Sequence, residues 1–388
     1  MREAAAALAR REPQRTLDLL AEVERAGARH PEIPHLRANA FRLMNDPARA
    51  IAAFDAALVI EPYYLPAILG KGAALDDIGR KAQAAAIWRN ALKVAPSADR
   101  LPPPLAQMHA RARACVDEEN RKLRDYLGAR VDGVRAQYGA SELKRFDESI
   151  EIFSGRARAY SPEPTMLHFP ALPPVSFFDR SQFGWFEMLE AASATIVEEL
   201  SSVLAAPTAD AFRPYVAYPP GAPVNQWGEL NHSRRWSSYF FFSNGVKQAE
   251  ACRSAPKTAA LLERLPLLDV TTFGPTAMFS SLAPRTRIPP HTGSTNVRAI
   301  VHLPLILPGP AWFRVGNDRR TWRMGEAWAF DDTLEHEAMN EADETRVILI
   351  CDTWNPFLTG PERALVAALL QAKDRYQAEA GGAGDRFS

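Results

Sequence analysis

At 388 residues, 47% of them apolar, the chain is long enough for two or three domains with a sizeable core. Its 46 basic residues balance its 46 acidic ones, so charge gives no basis for binding nucleic acid or an anionic membrane surface. Cys115, Cys252 and Cys351 are too few and too far apart for a disulfide framework. No apolar run reaches the ~18 residues of a membrane span, and the start MREAAAALARREPQR lacks the apolar core of a signal peptide. A reducing, cytoplasmic setting is therefore expected.

Residues 1–100 are rich in alanine and leucine, with apolar positions at helical spacing. Six pairs recur 34 residues apart: Ala38 and Gly72, Phe41 and Leu75, Ala50 and Ala84, Phe54 and Trp88, Ala57 and Ala91, Pro62 and Pro96. Small residues let paired helices approach, and the proline stops the second helix. A 34-residue period with these features resembles the tetratricopeptide repeat. Two repeats are clear, and a degenerate one is expected around Pro13 to Pro31. Such stacks either offer a concave surface to a peptide or serve packing and dimerisation. PSADRLPPPL, residues 96–105, breaks the pattern, and residues 101–159 are expected to hold a linker and connecting helices, with one long helix from Ala106 to about Tyr138.

After residue 160 prolines and aromatics become frequent. From Thr276 onward come short β-type runs, AMFSSL, VRAIVHLPLI, AWFRV, EAWAFDD and RVILICDTW, each bounded by Gly, Pro, Asn or Asp. Strands of this length and spacing predict an antiparallel double-sheet barrel or jelly roll over residues 160–388. The expected architecture is thus multidomain: all-α helical repeats, then a β domain with flanking helices.

Of eight histidines, His30, His35 and His109 fall in the helical region and are read as surface or cap residues. His291, on a loop after two prolines, His302 and His336 lie among the predicted strands. Two imidazoles at one end of a barrel could hold a transition metal. The usual non-haem iron site adds a carboxylate two residues after the first histidine, and here that position is Gly293. The residues alone leave two readings, an incomplete metal site or satisfied strand-end histidines beside a solvated acidic turn.

The stretch HTGSTNVRAIVHLPL, followed by FRVGNDRRTWRMGEAWAFDDTLEHEAMNEADETRVILICDTWNP, resembles the aspartyl/asparaginyl β-hydroxylase family, as does ACRSAPKTAALLERLP upstream. The resemblance covers about residues 160–358. It implies a double-stranded β-helix, cupin-like domain and an Fe(II)/2-oxoglutarate dioxygenase, which consumes O2 and releases succinate and CO2 as it hydroxylates an unactivated carbon. Some relatives carry tetratricopeptide repeats ahead of this domain. The family holds iron with two histidines only, which makes His291 and His336 the ligands and accounts for Gly293. Asp332 matches the acidic residue that orients a metal-bound water. Arg346 matches the arginine that takes the distal carboxylate of 2-oxoglutarate, Ser280 the serine that shares it, and His302 a histidine near the other carboxylate.

Two positions depart from the family pattern. Ile300 stands where relatives often have arginine, for which Arg298 is the candidate substitute in cosubstrate binding. Met278 stands where a basic residue is expected of a peptide-aspartate hydroxylase. Arg234, Arg235 and Arg287 are candidates for gripping a substrate carboxylate. Glu335 and Glu337, flanking His336 on a strand, should face away from it as solvated charges. The expected substrate is the β-carbon of Asp or Asn in a peptide or protein, recruited by the repeats. The competing readings are a lipid or small-molecule hydroxylase, another metal enzyme on the same barrel, and a non-catalytic repeat scaffold with a degenerate cupin. The sequence leaves the oligomeric state open.

Overall fold

In the computed structural model, residues 1–205 and 212–379 are described, so the last residues of the expected β domain, 380–388, lie outside the description. The chain forms two compact units, Met1–Ala157 and Arg158–Ser388.

The first unit consists of antiparallel helix pairs: α1 (Arg2–Ala9) with α2 (Pro13–Arg25), α3 (Glu32–Leu43) with α4 (Pro47–Ile60), and α5 (Leu65–Asp77) with α6 (Lys81–Val94). The second helices start 34 residues apart at Pro13, Pro47 and Lys81, so the degenerate first repeat has the same form as the other two. Proline opens α2 and α4 because the first helical turn needs no intrahelical N–H donor. The period persists because each crossing buries the same kind of residue. Phe54 fills the space over Gly70, and Trp88 fills that over Gly72 while donating its indole N–H to the Leu69 carbonyl at 3.1 Å. The 33-residue helix α7 (Pro103–Arg135) lays Ala112, Cys115 and Val116 over the Trp88 core, closing the stack. The shorter α8 (Ala140–Phe153) follows. His109 is not a surface residue: it is buried on α7. His35 is half-buried against Phe54 and Tyr64, and only His30 is exposed.

The second unit begins with α9 (Phe186–Ala191) and α10 (Ser193–Ala205), then β1 (Arg213–Pro214), β2 (Trp236–Ser243), β3 (Val246–Lys247), α11 (Ala249–Ser254) and α12 (Pro256–Leu262). It continues through β4 (Ala277–Leu282), β5 (Thr286–His291), β6 (Arg298–Ile306), β7 (Ala311–Val315), β8 (Asp318–Thr321), β9 (Trp328–Phe330), β10 (His336–Asn340) and β11 (Arg346–Trp354) to α13 (Gly360–Glu379). The strands form two antiparallel sheets. One has the order β1-β2-β4-β11-β6-β9 with β3 attached to β2, and the other the order β5-β10-β7-β8. From β4 on, the chain passes repeatedly from one sheet to the other, which makes the domain a cupin-like double-stranded β-helix.

The larger sheet is covered on both faces. Phe279, Val301, Leu303, Val347 and Leu349 pack outward against Phe186, Leu189, Ile196 and Leu200 of the flanking helices. The residues of opposite parity on β4, β6 and β11 face the second sheet, and among them stand polar side chains: Ser280, Arg298, His302, Arg346 and Asp352. A buried polar group needs partners, so a full row of them inside a barrel marks a place built for something other than packing.

One difference from the sequence reading concerns RIPPHTG. His291 is the last residue of a strand, not a loop residue, and Pro289 and Pro290 lie in β5. Prolines fit there because β5 is the edge of the smaller sheet, where one side of the backbone needs no donor.

The glycines at the helix crossings give a test. Gly72→Ala should destabilise the protein by about 1–3 kcal/mol through overlap with the Trp88 ring, despite alanine's better helix propensity. Gly128→Ala, on α7 with nothing near its Cβ position, should stabilise it by about 1 kcal/mol. Urea denaturation of the full chain followed by far-UV circular dichroism reads both signs.

Candidate active site

A cavity of about 400 Å³ opens between the sheets, lined by every site residue expected from the sequence: Ser280, His291, Arg298, His302, Asp332, His336 and Arg346. Gly293 and Ile300 line it too.

His291 and His336 come from neighbouring strands. They are cross-strand partners in the β5–β10 ladder, where a bulge follows His336, and their rings lie 4.0 Å apart. Burial pushes His291 down to about 3, aided by the nearby His336 ring, and burial likewise takes His336 to about 4. Both imidazoles are therefore neutral near pH 7. His291 Nδ1 lies 2.8 Å from the Pro289 carbonyl and His336 Nδ1 lies 3.0 Å from that of Leu334. A carbonyl only accepts, so each Nδ1 carries the ring hydrogen and each Nε2 keeps its lone pair. Two converging neutral imidazoles with free Nε2 atoms suit a transition metal. Among the described residues no group of three or more His, Cys, Asp or Glu is arranged to hold a metal.

The space of the missing carboxylate is filled from another strand end. Asp332 sits so close to Gly293 that a methyl group at 293 would overlap its carboxylate. The Gly293 N–H also donates to the Asp332 carbonyl at 2.6 Å. One Asp332 oxygen accepts from Arg298 at 2.9 Å, while the other is buried and has no hydrogen-bond partner. Arg298 also lies 3.8 Å from Asp352. Burial works against the Arg298 charge, but the Asp332 and Asp352 carboxylates outweigh it and its pKa is raised. Arg298 thus bonds one aspartate and lies beside a second, while its Nε is buried without a hydrogen-bond partner.

Arg346 is in the opposite condition. It is 2% exposed, its Nε has no partner, and one terminal nitrogen donates to the Ser280 carbonyl at 3.3 Å. Burial alone acts on it, lowering its pKa to about 9. Its guanidinium lies over Trp322, 4.9 Å from the ring centroid. The Ser280 hydroxyl accepts from the Trp236 indole at 3.2 Å, which leaves its own hydrogen free to donate. His302 packs edge-on to Phe313 and Phe330, its Nδ1 has no partner, and burial followed by the Arg346 charge keeps it neutral. Arg346, Ser280 and His302 together form a buried cationic pocket without an anion.

The acidic residues beside His336 correct the sequence reading. Glu337 faces away from the cavity as strand parity requires, but it is buried rather than solvated. Burial alone would raise its pKa, yet bonds from Arg314 and Arg287 hold it below the ordinary range. Arg314 also takes Glu335 at 2.8 Å. Arg287 is thereby occupied and does not line the cavity. Arg234 and Arg235 do not line it either, and Arg235 donates to the Thr286 hydroxyl at 3.2 Å.

Sequence reasoning missed several cavity residues. Asp352 carried a usable signal, because it is the one acid in an apolar strand and shares the parity of Arg346. Tyr215 and Trp227 lie in a segment without periodicity. Tyr215 stacks on Trp236 at 4.1 Å, and Trp227 stands edge-on to His291 at 4.9 Å.

A sequence model of the aspartyl/asparaginyl beta-hydroxylase family matches residues 190–356. The β domain belongs to that family. An aspartyl/asparaginyl beta-hydroxylase of Mus musculus is 38% identical over 141 residues, which is 36% of this chain and 19% of that protein. The ornithine lipid ester-linked acyl 2-hydroxylase of Rhizobium tropici is 33% identical over 205 residues, 51% of this chain and 66% of that protein. Aspartate beta-hydroxylase domain-containing protein 2 of Xenopus tropicalis is 32% identical over 206 residues, 52% of this chain and 53% of that protein. The chain thus spans about a fifth of the mouse relative and between a half and two thirds of the other two. The matched stretch holds every residue of the cavity discussed above.

Gly293→Ala tests how Asp332 is held. Forcing Asp332 off Arg298 should destabilise the domain by about 3–5 kcal/mol, the cost of breaking a buried ion pair. In denaturant titrations the Gly293→Ala/Asp332→Ala double variant should be no less stable than Asp332→Ala alone, because the overlap is then gone.

Proposed function

We propose that the chain is an Fe(II)/2-oxoglutarate-dependent dioxygenase that hydroxylates an unactivated carbon. The observation that carries this reading is Arg346, a buried guanidinium with no acidic partner, in the same cavity as two neutral histidines with free Nε2 atoms. Burying an unpaired cation is costly, so the site is built for an anion that arrives from solution. A dicarboxylate with a metal-chelating 2-oxo acid end meets both requirements.

In this reading His291 and His336 hold the iron. Arg346 grips the distal carboxylate through its planar fork, and the Ser280 hydroxyl donates to the same group. Neutral His302 presents its ring to the cosubstrate without adding charge. The unpartnered Asp332 oxygen would accept from a water on the iron. When bound, Fe(II) with 2-oxoglutarate and O2 supplies the oxidising power, and the cosubstrate leaves as succinate and CO2. The protein contributes position and an apolar wall of Ile288, Phe313 and Phe330.

The relatives' names give the two substrate types to weigh, aspartyl or asparaginyl side chains and a lipid acyl chain. Fused helical repeats support a peptide or protein substrate, recruited on their surface. Three free, buried cysteines support a cytoplasmic setting.

Apo-protein mixed anaerobically with Fe(II) and titrated with 2-oxoglutarate should develop the visible metal-to-ligand charge-transfer band of the chelate. His291→Ala should abolish the band. Arg346→Ala should weaken 2-oxoglutarate binding at least ~10-fold while iron still binds, the loss expected for a charged bidentate contact. Iron binding without a band would overturn the assignment.

A further inference from the structure

We infer that Trp227 is a modification site: in turnover without substrate, the enzyme hydroxylates its own Trp227 indole. The inference rests on the dioxygenase reading above.

The exposure of the cavity wall shows where a molecule enters. Among the described residues that line it, Thr165, Ala217, Asn225 and Gln226 are the exposed ones, and three of these four belong to the segment between β1 and β2. The cavity therefore opens beside that segment. Trp227 follows Gln226 directly, is half-buried and lines the cavity. Its ring stands edge-on to the His291 imidazole, with 4.9 Å between centroids. A path from the opening to the two histidines thus runs along this indole. The backbone that carries it is tied into a closed turn. The Trp227 N–H donates to the Val224 carbonyl, and its own carbonyl accepts from the Leu230 and Asn231 N–H groups, each at 2.8 Å.

Other oxidisable side chains line the cavity, and position separates them from Trp227. Among the described residues, the rings in contact with His291 are those of Trp227, Trp236 and His336. Trp236 is farther away, at 6.3 Å, and its N–H is given to the Ser280 hydroxyl on the cosubstrate side. Met278 lies in the same rung as His302, on that side too. Cys351 belongs to the apolar core on the outer face of the sheet. Phe313 and Phe330 stand against His336, but a phenyl ring resists oxidation better than an indole. Trp227 is therefore the easily oxidised group on the open side of His291, where a substrate carbon has to come. With a substrate in place, the oxidising equivalents formed at the metal go to that carbon. With the opening empty, they meet the indole, because water exclusion by substrate is what prevents such side reactions. The step balances. One oxygen atom of O2 enters 2-oxoglutarate, which loses CO2 and leaves as succinate, supplying two electrons. The other enters a C–H bond of the indole ring, which supplies the second two electrons, and the hydrogen stays on the new hydroxyl.

The test needs no substrate. The full chain is first mixed anaerobically with Fe(II) and 2-oxoglutarate, where a missing charge-transfer band overturns the dioxygenase reading and this inference with it. Air is then admitted in the presence of catalase, and a digest is read by tandem mass spectrometry. The peptide holding Trp227 should gain the mass of one oxygen atom at the indole, taken from isotopically labelled O2. Its modified fraction should exceed that of the Trp236 peptide at least ~10-fold, and it should fall to background when 2-oxoglutarate is left out or in His291→Ala. A second readout needs no turnover. Anaerobic Fe(II) alone should quench tryptophan emission, and Trp227→Phe should lose a clear part of that quenching. Succinate formation with Trp227 unmodified, or with Trp236 modified ahead of it, overturns the inference although the band is present. So does quenching that Trp227→Phe leaves unchanged.

Discussion

Asp332 keeps its place because residue 293 has no side chain, and this one contact organises the histidine side of the cavity. The carboxylate enters from just past the end of β9 and occupies the volume that a side chain at residue 293, two residues beyond the end of β5, would take. Arg298 then holds it from β6, and Asp352 flanks Arg298 from β11. Three strands of the larger sheet thus fix the position of one oxygen relative to histidines carried by the smaller sheet. Such an arrangement requires strands that keep register, because a slip of one residue would turn Arg298 and Asp352 into the helix-packed face.

The flanking helices follow from the same requirement. A sheet whose inner face carries buried charge gains little there from apolar burial, so its stability has to come from the outer face. Phe186, Leu189, Ile196 and Leu200 cover that face, on Phe279, Val301, Leu303 and Leu349. The smaller sheet meets the problem differently. Its outward Glu337 is buried between Arg287 and Arg314, so an ion-pair cluster covers the back of the strand that carries His336. A strand held on both sides leaves its histidine little freedom to turn, which suits a ligand that must meet His291 at a fixed distance.

What the sequence made legible follows from this construction. The repeats could be read because each crossing reuses the same small and aromatic residues at a 34-residue period. The strands β4, β6, β7 and β11 could be read because they are apolar runs, while the cavity residues on β6 and β11 were indicated by the family resemblance. β5 was hidden by Pro289 and Pro290, which only an edge position permits, and β10 by its charges. Parity placed Glu337 outward correctly, but parity says nothing of what covers an outward residue, and two arginines distant in sequence cover it. The bond from Arg298 to Asp332 was not legible for a related reason. Its type suits a carboxylate ligand, while its commitment to Asp332 depends on the space left at Gly293.

Arg298 and Arg346 carry the clearest contrast in the molecule. Both are buried guanidinium groups lining one cavity, yet the pKa of one is raised and that of the other lowered. Residue type is the same and burial nearly so; the difference is the presence of carboxylates. A buried arginine already neutralised by protein has no attraction left for an anionic ligand, whereas one buried alone is stabilised by any carboxylate that fits. Along the cavity the two guanidinium groups therefore differ in charge compensation, Arg298 beside two carboxylates and Arg346 beside none, although each keeps a buried Nε without a hydrogen-bond partner.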